Sequence, residues 1–408
     1  MKEEIMFRKF VAIMMVLALA LSLAGCRGQA TPPPAAAPEA TPTPAATPAL
    51  GEGADIIEID GWRIGIITGT VSQGEEEYLA SRNMEDRFGS DHIVRATYPD
   101  AFGAEMEVTI ANVLSLADAG AQAIVFVQAV PGAIAAIQST REQFGEDIFF
   151  FTGTTHEPPA EIAAHADIAI NPDDLAMGRV IMEQAHRMGA ETFAHISFPR
   201  HLGMENIAAR RNLLYNTAAE LGINWVELTA PDPTAEGIPA TQMFILENVP
   251  RWIQEHGQNT AFFSTNCAMQ EPLMTQIAEY GGLYPLQCCP SPFHAFPSAF
   301  NISMAGNEGD AIFLIDQIRT EIADLEASGR FSTWPVPINM LLVEVGVLYS
   351  IEFLEGNTDG RHDQATLFRI IDQVAASYGT SVDINNWPLG NGEYIENFYL
   401  ILSDFVTF

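Results

Sequence analysis

From Trp62 onward the chain alternates short β-branched or aromatic runs with helical stretches, and this alternation limits the fold more than any other feature. Strand-like runs fall at residues 62–68, 92–97, 122–128 and 147–151. Between them, residues 75–88, 105–119 and 133–144 read as helices. Strands separated by helices at this spacing predict a parallel sheet covered on both faces. The pattern then restarts. Helices are predicted over 175–188, 206–221, 239–256 and 271–280, with strands over 192–197, 224–228, 260–264 and 283–288. The predicted class is α/β, with lobe 1 over 61–170 and lobe 2 over 171–300. Residues 301–408 are expected to supply helices at 310–328, 339–354 and 364–378, packing on or crossing between the lobes. The tail from Thr380, rich in Asn, Gly and aromatics, reads as irregular. No sequence period of about 20–50 residues appears, which argues against a solenoid.

The N-terminus has a different logic. Arg8 and Lys9 precede an apolar run over 10–23, and Ala24-Gly25-Cys26 follows. A short basic region, an apolar stretch too short to span a bilayer comfortably, and small residues before a cut describe a signal peptide over 1–25. Leu23-Ala24-Gly25-Cys26 is similar to a bacterial lipobox, which implies cleavage before Cys26 and a palmitate-type lipid on its sulfur. Residues 31–54 are rich in Pro, Ala and Thr and lack large apolar side chains. Residues 26–60 are therefore expected to be a lipidated cysteine and an extended tether at the outer face of a bacterial cell membrane.

Charge excludes several functions. With 19 basic and 52 acidic residues the net charge is −33, which argues against nucleic acid or an anionic membrane surface as a partner. Lys2 and Lys9 are the only lysines, and both precede the expected cut. Schiff-base chemistry and a P-loop are thus excluded from the mature chain. Ser, His and Asp are present, but no Gly-x-Ser-x-Gly elbow is. The chain is expected not to be an enzyme and to carry no cofactor. Beyond Cys26 the cysteines are Cys267, Cys288 and Cys289, an odd number that leaves at least one thiol unpaired. A Cys267–Cys288 disulfide and three reduced thiols are both open.

In open parallel sheets ligands bind beyond the carboxyl ends of the strands. Here those ends carry hydroxyls, amides, aromatics and one arginine: residues 68–72, 128–132, 152–156, 197–201, 230–233, 264–267 and 288–294. This mixture suits a neutral or weakly charged small molecule. The candidate contacts are Thr70, Gln128, Thr154, Phe198, Arg200, His201, Thr265, Asn266, Ser291 and His294. Each has a plainer alternative. Arg200 could be a surface ion-pair partner, Phe198 a core residue, Asn266 a turn former, and the histidines structural. Asp232, between Pro231 and Pro233, reads most simply as part of a rigid turn, and Glu75-Glu76-Glu77 as a solvated helix start.

The ordered set resembles the type I periplasmic binding proteins, the ribose-binding-like and basic-membrane-lipoprotein-like group, over roughly residues 62–300. Asn171-Pro172-Asp173-Asp174-Leu175-Ala176-Met177-Gly178 looks like the place where that family's chain crosses to its second lobe. Phe263-Ser264-Thr265-Asn266 is similar to the strand end that places a ligand-binding amide in sugar binders, which carries Asn266 over. Cys289 stands where many relatives place a ligand-binding Asp, and this argues away from a sugar. The blocks 197–201, 260–266 and 288–292 also resemble a poorly characterised lipoprotein branch of the superfamily. The resemblance implies two Rossmann-like lobes with a ligand cleft between them, and a solute-binding lipoprotein that serves an ABC transporter permease. Two alternatives stand beside it. One is a metal binder using Cys267, Cys288, Cys289, His201 and His294, although adjacent cysteines are not usual zinc spacing. The other is a ligand-sensing ectodomain.

Overall fold

The computed structural model describes residues 61–307 and 309–408. The signal peptide, Cys26 and the tether fall outside the described residues.

The first lobe is built on β1 (Ile64–Thr68), β2 (Ile93–Thr97), β3 (Ala123–Val127), β4 (Phe149–Gly153) and β5 (Ile168–Pro172), all parallel. Its helices are α1 (Val71–Phe88), α2 (Met106–Asp118), α3 (Ala133–Phe144) and α4 (Pro159–Ala163). Helices cover both faces, so the strands read as unbroken apolar runs. In β4, Phe149 and Phe151 enter one core and Phe150 the other, all fully buried. Burying each such ring contributes roughly 1.5–3 kcal/mol.

The chain crosses at Pro172-Asp173-Asp174 into α5 (Asp174–Arg187), where the Asp173 side chain accepts a bond from the Ala176 N–H. The second lobe follows with β6 (Thr192–Ser197), α6 (Pro199–Leu202), α7 (Glu205–Leu221), β7 (Asn224–Thr229), α8 (Ile238–His256), β8 (Thr260–Ser264), α9 (Gln270–Tyr280), α10 (Phe296–Phe300), α11 (Ala311–Asp324) and β9 (Ser332–Thr333). Its regular parallel sheet has the order β7-β6-β8. The strand expected over 283–288 is reduced to single bridges, Ala261 to Leu283 and Tyr284 to Phe331. Pro285 lacks the N–H that would continue the ladder.

The C-terminal segment, from Ile338 onward, closes both lobes. The chain returns to the first lobe through α12 (Ile338–Leu354) and α13 (Gln364–Ser377), which pack on the α1 face of the first sheet. The tail expected to be irregular forms β10 (Asp383–Pro388) and β11 (Tyr394–Leu402). β11 pairs parallel with β5, completing a seven-stranded sheet of order β10-β11-β5-β4-β3-β1-β2. The chain then crosses a third time, and β12 (Val406–Thr407) pairs with β9. No helix among the described residues is long and apolar enough to cross a membrane.

Candidate functional site

The carboxyl ends of β1 to β5 face those of β6 and β8 across a cleft. At its centre is a cavity of about 50 Å³. Gln73, Phe102, Gln128, Thr154, Thr155, His156 and Asn171 line it from the first lobe. His201, Asn206, Arg210, Thr265, Asn266, Cys267, Cys288 and Cys289 line it from the second. A neighbouring hollow of about 330 Å³ shares Gln73 and Cys267 and adds Gln242, Glu271 and His294. The lobes already touch: Gln128 Nε2 lies 3.8 Å from Cys267 Sγ, and the Arg200 guanidinium sits 5.5 Å from the Phe102 ring centre.

A ring of hydrogen bonds fixes the first-lobe wall. His156 Nε2 donates to Gln128 Oε1 (3.2 Å), and Gln128 Nε2 donates to Glu77 Oε1 (3.1 Å). Asn339 Nδ2 donates to Glu77 Oε2 (3.3 Å), and Thr154 Oγ1 donates to Asn339 Oδ1 (2.7 Å). Thr154 holds φ +47°, a left-handed conformation costly for a β-branched residue, and this bond helps to pin it there. The network corrects the expectation of a solvated helix start, because Glu76 and Glu77 are only 3% and 1% exposed. α1 turns them inward against the returning chain, where the Asn339 N–H donates to Glu76 Oε1. Burial raises the Glu77 carboxyl to about 7 and Glu76 well above its usual range.

The second-lobe wall is anchored differently. Arg210 on α7 pairs with Asp174 at the crossing, and Asn206 Nδ2 donates to the other carboxylate oxygen at 2.6 Å. Gly178 makes this possible. A Cβ there would lie 2.5 Å from Leu213 Cβ, so only glycine lets α5 approach α7 this closely. His201 Nδ1 and Ser197 Oγ both meet Thr265 Oγ1, at 3.1 and 2.9 Å. Burial, with the nearby charge of Arg200, pulls His156 down to about 3 and His201 well below the usual histidine range. Both rings are therefore neutral at pH 7.

The structure brings Gln128, Thr154, His201, Thr265 and Asn266 to the inner cavity and His294 to the adjoining hollow. Asn266 also has the turn role, since its Oδ1 accepts from the Ala268 N–H at 3.0 Å. Four candidates do not line either space. Thr70 Oγ1 donates instead to the Asp100 carboxylate, and Gln73 one turn later takes the wall position. Phe198 is fully buried against the His201 ring, with centroids 4.2 Å apart. Arg200 donates to Asp232 through Nε and Nη2, at 2.7 and 3.2 Å, so it is the ion-pair partner. Ser291 is fully buried, and its Oγ accepts from the Phe293 N–H at 3.0 Å.

Residues that sequence reasoning missed include Arg210, Asn206, His156 and Phe102. Asn206 and Arg210 are four apart, hence on one helical face, and polar residues on the inner face of a helix that covers a sheet were the available signal. The three thiols cluster, with Cys267 Sγ 3.5 Å from Cys288 Sγ and 3.8 Å from Cys289 Sγ, and all are free. Bonds among the sulfurs, together with burial, hold each thiol well above its ordinary range. Such thiols are protonated and poor nucleophiles.

The chain is similar to solved structures and to curated proteins. A putative transcriptional regulator from Clostridium difficile 630 superposes with a TM-score of 0.66 at 19% identity, over 86% of this chain and all of that one. An ABC transporter solute-binding protein from Clostridium phytofermentas, with bound L-rhamnose, gives 0.50 at 10% identity, over 86% of this chain and 96% of that one. The fold is that of the type I periplasmic binding proteins. Two uncharacterized proteins of Treponema pallidum (strain Nichols) are 35% and 32% identical to this chain. The first match spans 41% of this chain and 77% of the relative, and the second 43% and 82%. A family model covers residues 62–332, and the chain therefore belongs to the family described as protein of unknown function (DUF3798).

Proposed function

We propose that this chain is an extracytoplasmic solute-binding lipoprotein that closes two lobes on a small, neutral, polar molecule and presents it to an ABC transporter permease. One observation carries the binding part. Thr155 Oγ1 and His156 Nδ1 of the first lobe, and Arg210 Nε of the second, belong to residues that line the cavity and are buried with no hydrogen-bond partner among the described residues. Each such group costs roughly 1–3 kcal/mol when buried unpaired. A molecule that supplies partners to all three is therefore favoured, and it must offer both donors and acceptors. Neutrality follows from the walls: Asp174 compensates Arg210, and His156 and His201 are uncharged.

The cavity of about 50 Å³ is far below the roughly 300–1,000 Å³ of ordinary ligand pockets, so the molecule enters when the lobes part about the three crossings. L-rhamnose in the Clostridium phytofermentas protein is a neutral hydroxylated molecule of this chemical kind. No chemical step is part of this reading. The lipobox-like Cys26 supplies the anchor and the Pro/Ala/Thr-rich tether the reach.

Thr155→Val tests the site, because it removes a hydroxyl that has no protein partner and keeps the side-chain shape. Calorimetry with the molecule released from the parent should show binding about two- to tenfold weaker, with the empty protein melting no lower than the parent. Equal affinity would place the ligand elsewhere.

A further inference from the structure

The thiol cluster is more than a packing feature of the cleft. Cys288 and Cys289 lie on the loop that leaves the second sheet, Cys267 follows β8, and His294 closes the same loop. Cys267 Sγ, Cys288 Sγ and a ring nitrogen of His294 lie within 4.8 Å of one another. Cys289 Sγ adds a third sulfur 3.8 Å from Cys267. Two sulfurs bound at about 2.3 Å to one tetrahedral zinc stand about 3.8 Å apart, so Cys267 and Cys288 at 3.5 Å fit one cation with His294. Cys289 lies outside the group whose ligand atoms are all within 4.8 Å of one another and must turn toward it to join.

The surroundings favour a built site. Gln287 Nε2 donates to the carbonyls of Ser291 (2.7 Å) and His294 (3.2 Å), and Gln287 Oε1 accepts from Thr333 Oγ1 (2.7 Å). These bonds hold the loop from Cys288 to His294 in one shape. His294 Nδ1 donates to the Cys289 carbonyl at 2.8 Å, which leaves the ring's lone pair on Nε2. A backbone carbonyl on the far nitrogen is the usual way a metal-binding imidazole is oriented. Gln128 Nε2, 3.8 Å from Cys267 Sγ, can donate to a thiolate from the opposite lobe.

We propose that Cys267, Cys288, Cys289 and His294 form a site for a thiophilic d10 cation, Zn(II) or Cu(I), at the junction of the inner cavity and the outer hollow. Each thiol that binds gives up its proton to solvent, and no electron is transferred. Zn(II) would use all four groups in a tetrahedron, and Cu(I) the three sulfurs in a plane. The site stands independently of the solute-binding reading, since the cation can bind whether or not a metabolite does.

The test uses the full chain, reduced and then freed of reductant and metal. Co(II) serves as the coloured probe for tetrahedral sulfur coordination, with Zn(II) in competition, and Cu(I) is titrated separately against a chromophoric chelator. The expected result is one cation per chain. Cys288→Ser and Cys289→Ser should each weaken it by at least about a hundredfold, with unchanged circular dichroism. His294→Gln should weaken Zn(II) but leave Cu(I) nearly unaffected, which separates the two geometries. Binding of Cu(I) alone supports the three-sulfur form. The proposal is overturned if neither cation binds the reduced chain tighter than about 1 mM, or if the serine variants bind like the parent. It is equally overturned if chain extracted without reductant yields only one titratable thiol beyond Cys26, because a Cys267–Cys288 disulfide then occupies the site. Loss of cation binding with retention of a co-purified metabolite would remove this site and leave the solute-binding reading standing.

Discussion

The imidazoles of His156 and His201 meet edge to face across the cleft, one from each lobe, with ring centroids 6.4 Å apart. Closure places both in surroundings that disfavour a proton, through burial and through Arg200 beside them. In an open cleft each ring would return toward its ordinary value of about 6.5. Closure then expels protons whenever the pH lies below that value. The sign follows from linkage: affinity is full above about pH 6.5 and falls on acidification, by at most about tenfold per pH unit for each ring. For His156 the window runs from 6.5 down to about 3. Calorimetry between pH 5 and 7.5 should show this fall, and His156→Gln should reduce it, with His201 leaving a residual slope. An affinity independent of pH would mean that the rings do not change surroundings on closure.

Glu77 has the opposite sign. Its carboxyl moves from 4.5 to about 7 on burial, so the folded chain holds a proton that the unfolded chain has lost. The stability tied to that proton is full below pH 4.5 and lost as the pH rises through 7. The buried histidines titrate near pH 6.5 in the unfolded chain and add a slope of the opposite sign, so urea unfolding isolates Glu77 as the difference between parent and Glu77→Gln. The parent should lose stability relative to the variant as the pH rises, within a total on the order of 3 kcal/mol over the whole window. Glu77→Gln keeps an acceptor for only one of Gln128 and Asn339, which donate to different oxygens of Glu77, and should remove its contribution to the slope. Glu76 is shifted the same way and leaves a residual slope. Parallel slopes in parent and variant would contradict the assignment.

The repeated strand–helix pattern made both lobes legible, and attention to strand ends singled out Gln128, Thr154, His201, Thr265 and Asn266, which line the inner cavity. The direction in which a loop side chain points was not legible. Phe198 and Ser291 sit beside the cleft in sequence yet turn into the core, and Arg200 is held by Asp232. Glu76 and Glu77 looked like a helix start because their partner, Asn339, lies more than 260 residues away. The tail misled for a local reason. Asn385, Asn386 and Pro388 are poor strand formers, but β10 is an edge strand, where such residues are tolerated. The apolar half of β11 was the signal overlooked.

Gly178 links packing to the site. An added methyl would meet Leu213 Cβ at 2.5 Å and the Arg210 carbonyl oxygen at 2.9 Å. Gly178→Ala should therefore push α7 from α5, costing roughly 1–3 kcal/mol and displacing Arg210 from Asp174. Denaturant unfolding measures the first effect and ligand affinity the second. A variant as stable as the parent would show that the helices yield without strain.

Cys26→Ser tests the anchor. The thiol alone can take the lipid, so the variant should lose acylation and no longer partition into detergent as the parent does. Unchanged partitioning would contradict the lipobox reading.

The central claim is that the cleft holds a small molecule. The most direct measurement is mass spectrometry of what gently purified chain releases on denaturation, compared between the parent and a Thr155→Val, His156→Ala double variant. The account predicts one neutral polar molecule, near one per parent chain, absent or much reduced in the variant while the variant remains folded. Finding no such molecule with the parent, or the same amount with both, would contradict it.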